Sequence, residues 1–150
     1  MTDSANELRG EVDLDLDGQR FVLRPSYQAI VAAEKKSGLT LARMAQMAEQ
    51  CLLSQDAQAI ITTELIRAWG RGLVLDEYAS PSDKAIATTA RGASAESIGE
   101  LLYGYSTLRI QPRLALVLTM ALTGGCLPSG EAKPMTGTTT TETPAVGLPE

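Results

Sequence analysis

Histidine is absent from all 150 residues of the chain. That absence excludes a Ser-His-Asp or Cys-His mechanism within the chain, a His-ligated zinc site and a histidine pH switch. A basic excess is missing too, because 13 Lys and Arg face 18 Asp and Glu for a net charge of −5. Counterion-release binding of nucleic acid needs a net basic face, so this balance opposes it. The only cysteines are Cys51 and Cys126, far apart in sequence. They make neither a disulfide framework nor a metal-ligand spacing, and are read as reduced thiols. The most apolar run, 114–122, is about half of the roughly 20 residues that span a bilayer. Met1-Thr2-Asp3-Ser4-Ala5-Asn6-Glu7 carries no basic region followed by an apolar stretch, so no secretory signal is expected. The expectation is a soluble protein of the cytoplasm that is not an enzyme, has no membrane or nucleic-acid partner, and carries no catalytic, cofactor-binding or metal-binding residues.

What is present fits one domain, since a chain of this length buries roughly 70% of its unfolded surface. Val12, Leu14 and Leu16 alternate with Glu11, Asp13, Asp15 and Asp17, a period of two that predicts a strand with a solvated acidic face. Asp17-Gly18 suits a tight type I′ turn, in which both central residues need positive φ. Residues 19–24 return as a second strand with Phe21 and Leu23 on one face, and Pro25 closes it. An isolated hairpin is marginal in water, so it must pack on helices or pair with another chain's strand.

From Ser26 onward the pattern is helical. Ser26 caps a first helix with Tyr27, Ile30, Val31 and Glu34 on one stripe, and Ser37-Gly38 stops it. Thr40 caps a second with Leu41, Met44, Ala45, Ala48 and Leu52. Ser54 caps a third with Ala57, Ile60, Ile61, Leu65, Ala68 and Trp69, which Gly70 and Gly72 should end. Ser80-Pro81-Ser82-Asp83 opens a short fourth helix through a cap, a proline at the first position and an acid three residues on. Ser94 starts a fifth whose Ile98, Leu101, Leu102, Tyr105 and Leu108 make one amphipathic stripe. Pro112 should start a sixth, apolar on nearly every side, which is either central to the core or covered by a partner. After Gly124-Gly125 the composition turns rich in Thr, Pro and Gly, with little apolar surface to offset ordering entropy. The fold class is therefore mainly α with a small N-terminal β-hairpin (α+β), a bundle of five to six helices packed on the hairpin. Its domain is 8–125, between a flexible start at 1–7 and a disordered tail at 126–150.

Chemical motifs weigh little. Asp13-Leu14-Asp15-Leu16-Asp17-Gly18 opens like a calcium loop, but the twelfth position, which needs a bidentate Glu, is Arg24, and the acids interleave with apolar residues as in a strand. The stretch from Arg113 to Cys126 imitates a lipoprotein signal but follows more than a hundred residues. Gly70-Arg71-Gly72 is too short for a phosphate loop. Asp76 and Glu77 are adjacent acids on a surface loop, and Arg67, Arg71 and Arg91 are scattered. Met44, Met47 and Met120 are either core gap-fillers or adaptable contacts for a partner. Trp69 is either core or an interface anchor. With Leu116 on the apolar sixth helix, these five residues are the candidates for partner binding.

The order of hairpin, Glu-ended helix and glycine stops carries a resemblance. Leu8-Arg9-Gly10-Glu11-Val12, Asp17-Gly18-Gln19-Arg20-Phe21-Val22-Leu23-Arg24-Pro25, Tyr27-Gln28-Ala29-Ile30-Val31-Ala32-Ala33-Glu34, Gly38-Leu39-Thr40-Leu41 and Trp69-Gly70-Arg71-Gly72 resemble the gene-transfer-agent family of small phage tail proteins, grouped with the tail assembly chaperones. The resemblance spans about 8–75, with a looser match beyond, and the Thr/Pro-rich tail departs from it. It implies a chaperone that coats the tape-measure protein and hands it to the tail tube protein, while the exposed sheet edges and the apolar sixth helix, read from the residues alone, add the expectation of a homo-oligomer. Such a chaperone acts in the cytoplasm of the bacterial host and is absent from the mature particle. The rival expectation is a structural tail component, a tube-associated adaptor retained in the particle.

Overall fold

Strand β1 (Val12–Leu16) and strand β2 (Gln19–Leu23) form an antiparallel hairpin in a computed structural model that describes residues 10–75 and 80–124. Asp17 and Gly18 have φ of 54° and 80°, as the type I′ turn demands. Val12 faces Leu23 and Leu14 faces Phe21 across the ladder, and all four side chains are buried. Val22, on the opposite face by alternation, is buried as well, so the end of β2 is covered on both sides.

The acidic face is less uniform than alternation predicts. Asp13, Asp15 and Asp17 are exposed, and Asp13 pairs with Arg20 at 2.8 Å. Glu11 is not on that solvated face, because its side chain is only 3% exposed and its Oε2 lies 2.6 Å from Arg24 Nε. Room for the guanidinium comes from Gly72, where a Cβ would collide with Arg24 Nη1.

Six helices follow among the described residues: α1 (Tyr27–Ser37), α2 (Leu41–Glu49), α3 (Gln55–Leu75), α4 (Pro81–Arg91), α5 (Ala95–Tyr105) and α6 (Thr107–Leu122). The mainly helical α+β class is as the sequence predicts. The expected caps are in place: Ser26, Thr40, Ser80 and Ser94 each accept a backbone N–H from the first turn, and Ser54 accepts from Ala57 N at 3.0 Å. Glu34 has a use that its helical stripe hides. Its Oε2 accepts the Leu41 N–H at 2.8 Å, satisfying one of the donors left open at the start of α2.

The burial of the helices corrects several expectations. In α1 the buried residues are Ala29 and Ala33, whereas Tyr27 is 78% exposed. Two alanines one turn apart let α1 lie close against α3. Leu52 falls beyond the end of α2 and is exposed, because Cys51 turns the chain at φ 57° and Leu53 is buried instead. Ser106, at φ 100°, separates α5 from α6, so Leu108 leaves the α5 stripe and is exposed. The Ser106 hydroxyl accepts from Leu108 N, and α6 therefore starts five residues before Pro112, which lies inside it. Proline removes one helical hydrogen bond there, the one from residue 112 to the carbonyl of Leu108.

The largest correction concerns the third helix. Gly70 and Gly72 do not end α3, which continues through both to Leu75. A Cβ on Gly70 would stand 2.8 Å from Ala90 Cβ and 2.9 Å from Arg91 N, so this glycine marks the close crossing of α3 and α4. The element surrounded on all sides is α3, not α6. It packs against α1, α4, α5, α6 and β2, and residues 61–66 are buried without a break. By contrast α6 buries one face, Ile110, Gln111, Leu114, Val117 and Leu118, and packs chiefly on Met44, Ala45 and Ala48 of α2.

Polar ties fix the layers to α3. Buried Glu64 receives Lys36 Nζ of α1 at 2.6 Å and Arg67 Nη1 at 3.2 Å, and Arg67 Nε donates to Ala93 O ahead of α5. Gln58 Nε2 and Gln111 Nε2 both donate to Thr107 Oγ1, while Leu53 N donates to Gln111 Oε1, tying α3 to α6. The segments expected to be flexible or disordered, 1–7 and 126–150, lie outside the described residues, as do Cys126 and the Asp76-Glu77 pair. Among the described residues no helix is long and apolar enough to cross a membrane.

Gly70→Ala should lower stability by about 1–3 kcal/mol in urea unfolding, because overpacking outweighs the gain of about 1 kcal/mol in helix propensity. Gly104→Ala on α5, with nothing within 4 Å of its would-be Cβ, should be neutral or stabilising. Were Gly70 a helical residue without a close neighbour, the two variants would behave alike.

Candidate protein-docking surface

Helical spacing places residues 108, 112 and 116 in one row along α6. Leu108 is 70% exposed, Leu116 is 54% exposed, and Pro112 is exposed between them. The row exists because α6 starts at Thr107. With Pro112 inside the helix, two leucines that the sequence assigns to different elements share one row about two turns apart, with Pro112 one turn from each.

Two arginines border the row on the side of β1. Arg113 Nη1 donates to Asp13 O at 2.6 Å and so occupies an outward carbonyl of the strand edge. Arg109 lies 4.0 Å from the centre of the Tyr105 ring, a cation–π contact worth about 0.5–1 kcal/mol at an exposed site. Between α6 and β1 runs a shallow groove of about 510 Å³, lined by Val12, Tyr105, Leu108, Arg109, Pro112, Arg113 and Leu116.

A second groove, of about 510 Å³, continues past Tyr105 and Arg109 toward the hairpin turn, where Asp15, Asp17, Glu100, Leu101 and Gly104 line it. Glu100 also borders a third, of about 490 Å³, between α3 and α5. There Ala59, Ala95 and Gly99 meet Tyr103, Gln55, Asp56 and Glu96. A Cβ on Gly99 would come within 3.2 Å of Ala59 Cβ, so the two helices close against each other at this point. Tyr103 is 78% exposed beside them. The three grooves share lining residues and wrap around α5 and the start of α6.

The five sequence candidates do not converge. Met44 is fully buried and Trp69 is 4% exposed, so both are core side chains that offer no surface in this fold. Met47 is half-buried and packs against the core. Met120 is half-buried with its side chain beside Gly10, and Leu116 alone is well exposed. Leu116 and Met120 are the pair brought together, one turn apart on α6. Sequence reasoning missed Leu108, Pro112, Tyr103 and Arg109. The i, i+4, i+8 spacing of 108, 112 and 116 was the available signal, obscured by reading proline as a helix start.

The two most buried acids, Glu11 and Glu64, are held by Arg24 and by Lys36 with Arg67, and tie elements together. Asp15 accepts from the Gly18 N–H within the turn. Among the described residues no group of three or more Cys, Asp or Glu is placed to hold a metal ion. No protein-family model, no curated protein and no solved structure matches the chain.

Leu108→Ser and Leu116→Ser should leave the unfolding free energy within about 0.5 kcal/mol of the unsubstituted protein, because both side chains are already largely in water. Met44→Ala should cost about 2–5 kcal/mol and Trp69→Ala about 3–5 kcal/mol by opening core cavities. Chemical denaturation of the four variants separates surface from core.

Proposed function

We propose that this chain is a non-enzymatic tail assembly chaperone, which covers an apolar segment of a tape-measure protein, keeps it soluble and passes it to the tail tube protein. The observation that carries the reading is the row of Leu108, Pro112 and Leu116, presented to solvent by a helix whose other face is locked onto α2. Exposed apolar side chains in a contiguous row gain free energy when a partner covers them. The resemblance read from the sequence at 8–75 is the ground for naming a tape-measure protein as the client. The acidic balance supports the same role, since a net charge of −5 favours a dispersed complex. In this reading the protein works in the cytoplasm of the host and leaves before the particle is finished.

Co-expression with a phage tape-measure protein tests the proposal. The expected result is a rise in soluble tape-measure protein and a complex that co-purifies, both reduced by Leu108→Ser with Leu116→Ser. An insoluble client and no complex would overturn the reading. Mass spectrometry of purified particles should find the chain absent or scarce, whereas a fixed stoichiometric ratio would make it a tube-associated adaptor.

A further inference from the structure

We infer that the groove between α3 and α5 is the docking site for a basic amphipathic helix of a partner protein. The inference rests on the chaperone reading for the idea that a partner protein is covered, and it assigns that partner a second contact, apart from the row of Leu108, Pro112 and Leu116, with a segment of stated chemistry.

The floor of the groove is small and apolar. Ala59, Ala95 and Gly99 bring α3 and α5 together, and the near-contact of residue 99 with Ala59 Cβ leaves no side chain standing between the two helices. A helix backbone can approach such a floor closely. Tyr103 forms one wall as a large, mostly exposed aromatic side chain with two χ angles to fix, the type of residue that anchors protein interfaces at low entropic cost. In shape, this is a seat for the apolar ridge of an amphipathic helix.

The rim decides the charge of the occupant. Asp56 of α3 and Glu96 and Glu100 of α5 are exposed around the apolar floor, and among the described residues no Lys or Arg lines this groove. Beyond Glu100 the adjoining groove adds Asp15 and Asp17, and its one cation, Arg109, is drawn onto the Tyr105 ring. A negatively charged segment is repelled along this whole path. A helix with Lys or Arg on both sides of its apolar ridge places cations over the carboxylates while the ridge meets Ala59, Gly99 and Tyr103. The 11 residues of α5 give a seat of about 16 Å, enough for about three turns of such a helix.

The test uses the full chain and two synthetic, alanine-rich amphipathic peptides of about 18 residues, long enough to be helical in water. Both carry the same leucine ridge, one with Lys and the other with Glu on the polar face. Fluorescence anisotropy should show the Lys peptide binding at least about tenfold more tightly than the Glu peptide, with the preference shrinking as salt is added. Combining Asp56→Asn, Glu96→Gln and Glu100→Gln, all at exposed positions, should weaken the Lys peptide about fivefold or more while the circular dichroism stays helical. Equal binding of the two peptides, no binding of either, or unchanged affinity in the triple variant would overturn the proposal. So would self-association lost in the triple variant without any preference between peptides, which would make the occupant a second copy of this chain.

The same triple variant separates this inference from the reading beneath it. If the variant solubilises the tape-measure protein as well as the unsubstituted chain does, the chaperone reading stands and the groove is not its docking site. If the unsubstituted chain ignores that client yet binds the Lys peptide in the expected way, the chaperone reading fails and the groove stands.

Discussion

The fold depends on surrounding one 21-residue helix, α3, with cover from every direction. A helix of that length buried through its middle needs neighbours close enough to exclude water, and close approach requires small residues at the crossings. Gly70 gives α4 that access, Gly72 admits the Arg24 side chain that pairs with Glu11, and Ala59 meets Gly99 of α5. Packing density in protein interiors leaves no slack at such points, so the alternation of small and large residues on α3 sets where each other element can lie. The hairpin, marginal alone, is held to this axis by Arg24 N, which donates to Leu65 O.

The interior of this arrangement is unusually polar for an axis. Gln58, Thr62, Thr63 and Glu64 all lie on α3 and are all buried. Glu64 is held by two cations, Lys36 from α1 and Arg67 from α3 itself, which turns a costly burial into a tie between layers. The partnered groups of α3 fix rotation as well as position: Gln58 reads Thr107, and Arg67 reads the carbonyl of Ala93. Apolar contact alone would allow the helices to turn about their axes, whereas these bonds require one setting.

Local chemistry was legible in the sequence where a few adjacent residues decide the outcome. The Asp17-Gly18 turn, the alternation of Val12, Leu14 and Leu16, and the serine and threonine caps each follow from short-range preferences, and each is present as expected. Residues whose role is set by distant partners were misread. Glycine at 70 looks the same whether it stops a helix or clears a path for another, and only the position of Ala90 distinguishes the two. The polar run at 62–64 disguised the central helix, and the apolar run at 114–122 left α6 as either central to the core or covered by a partner. The candidate docking surface was legible only in part. Leu116 could be proposed from its helix, but the row it shares with Leu108 depends on Ser106 breaking the chain at positive φ.

One contact also orders events in time. Arg113 and Asp13 are 100 residues apart, yet the arginine donates to a carbonyl on the edge of β1. A chain emerging from the ribosome exposes its hairpin early and its last helix late, at roughly 5–20 residues per second. Through those seconds the strand that opens the domain has an edge without its arginine, and the nascent protein is completed only when α6 arrives to close the part that was made first.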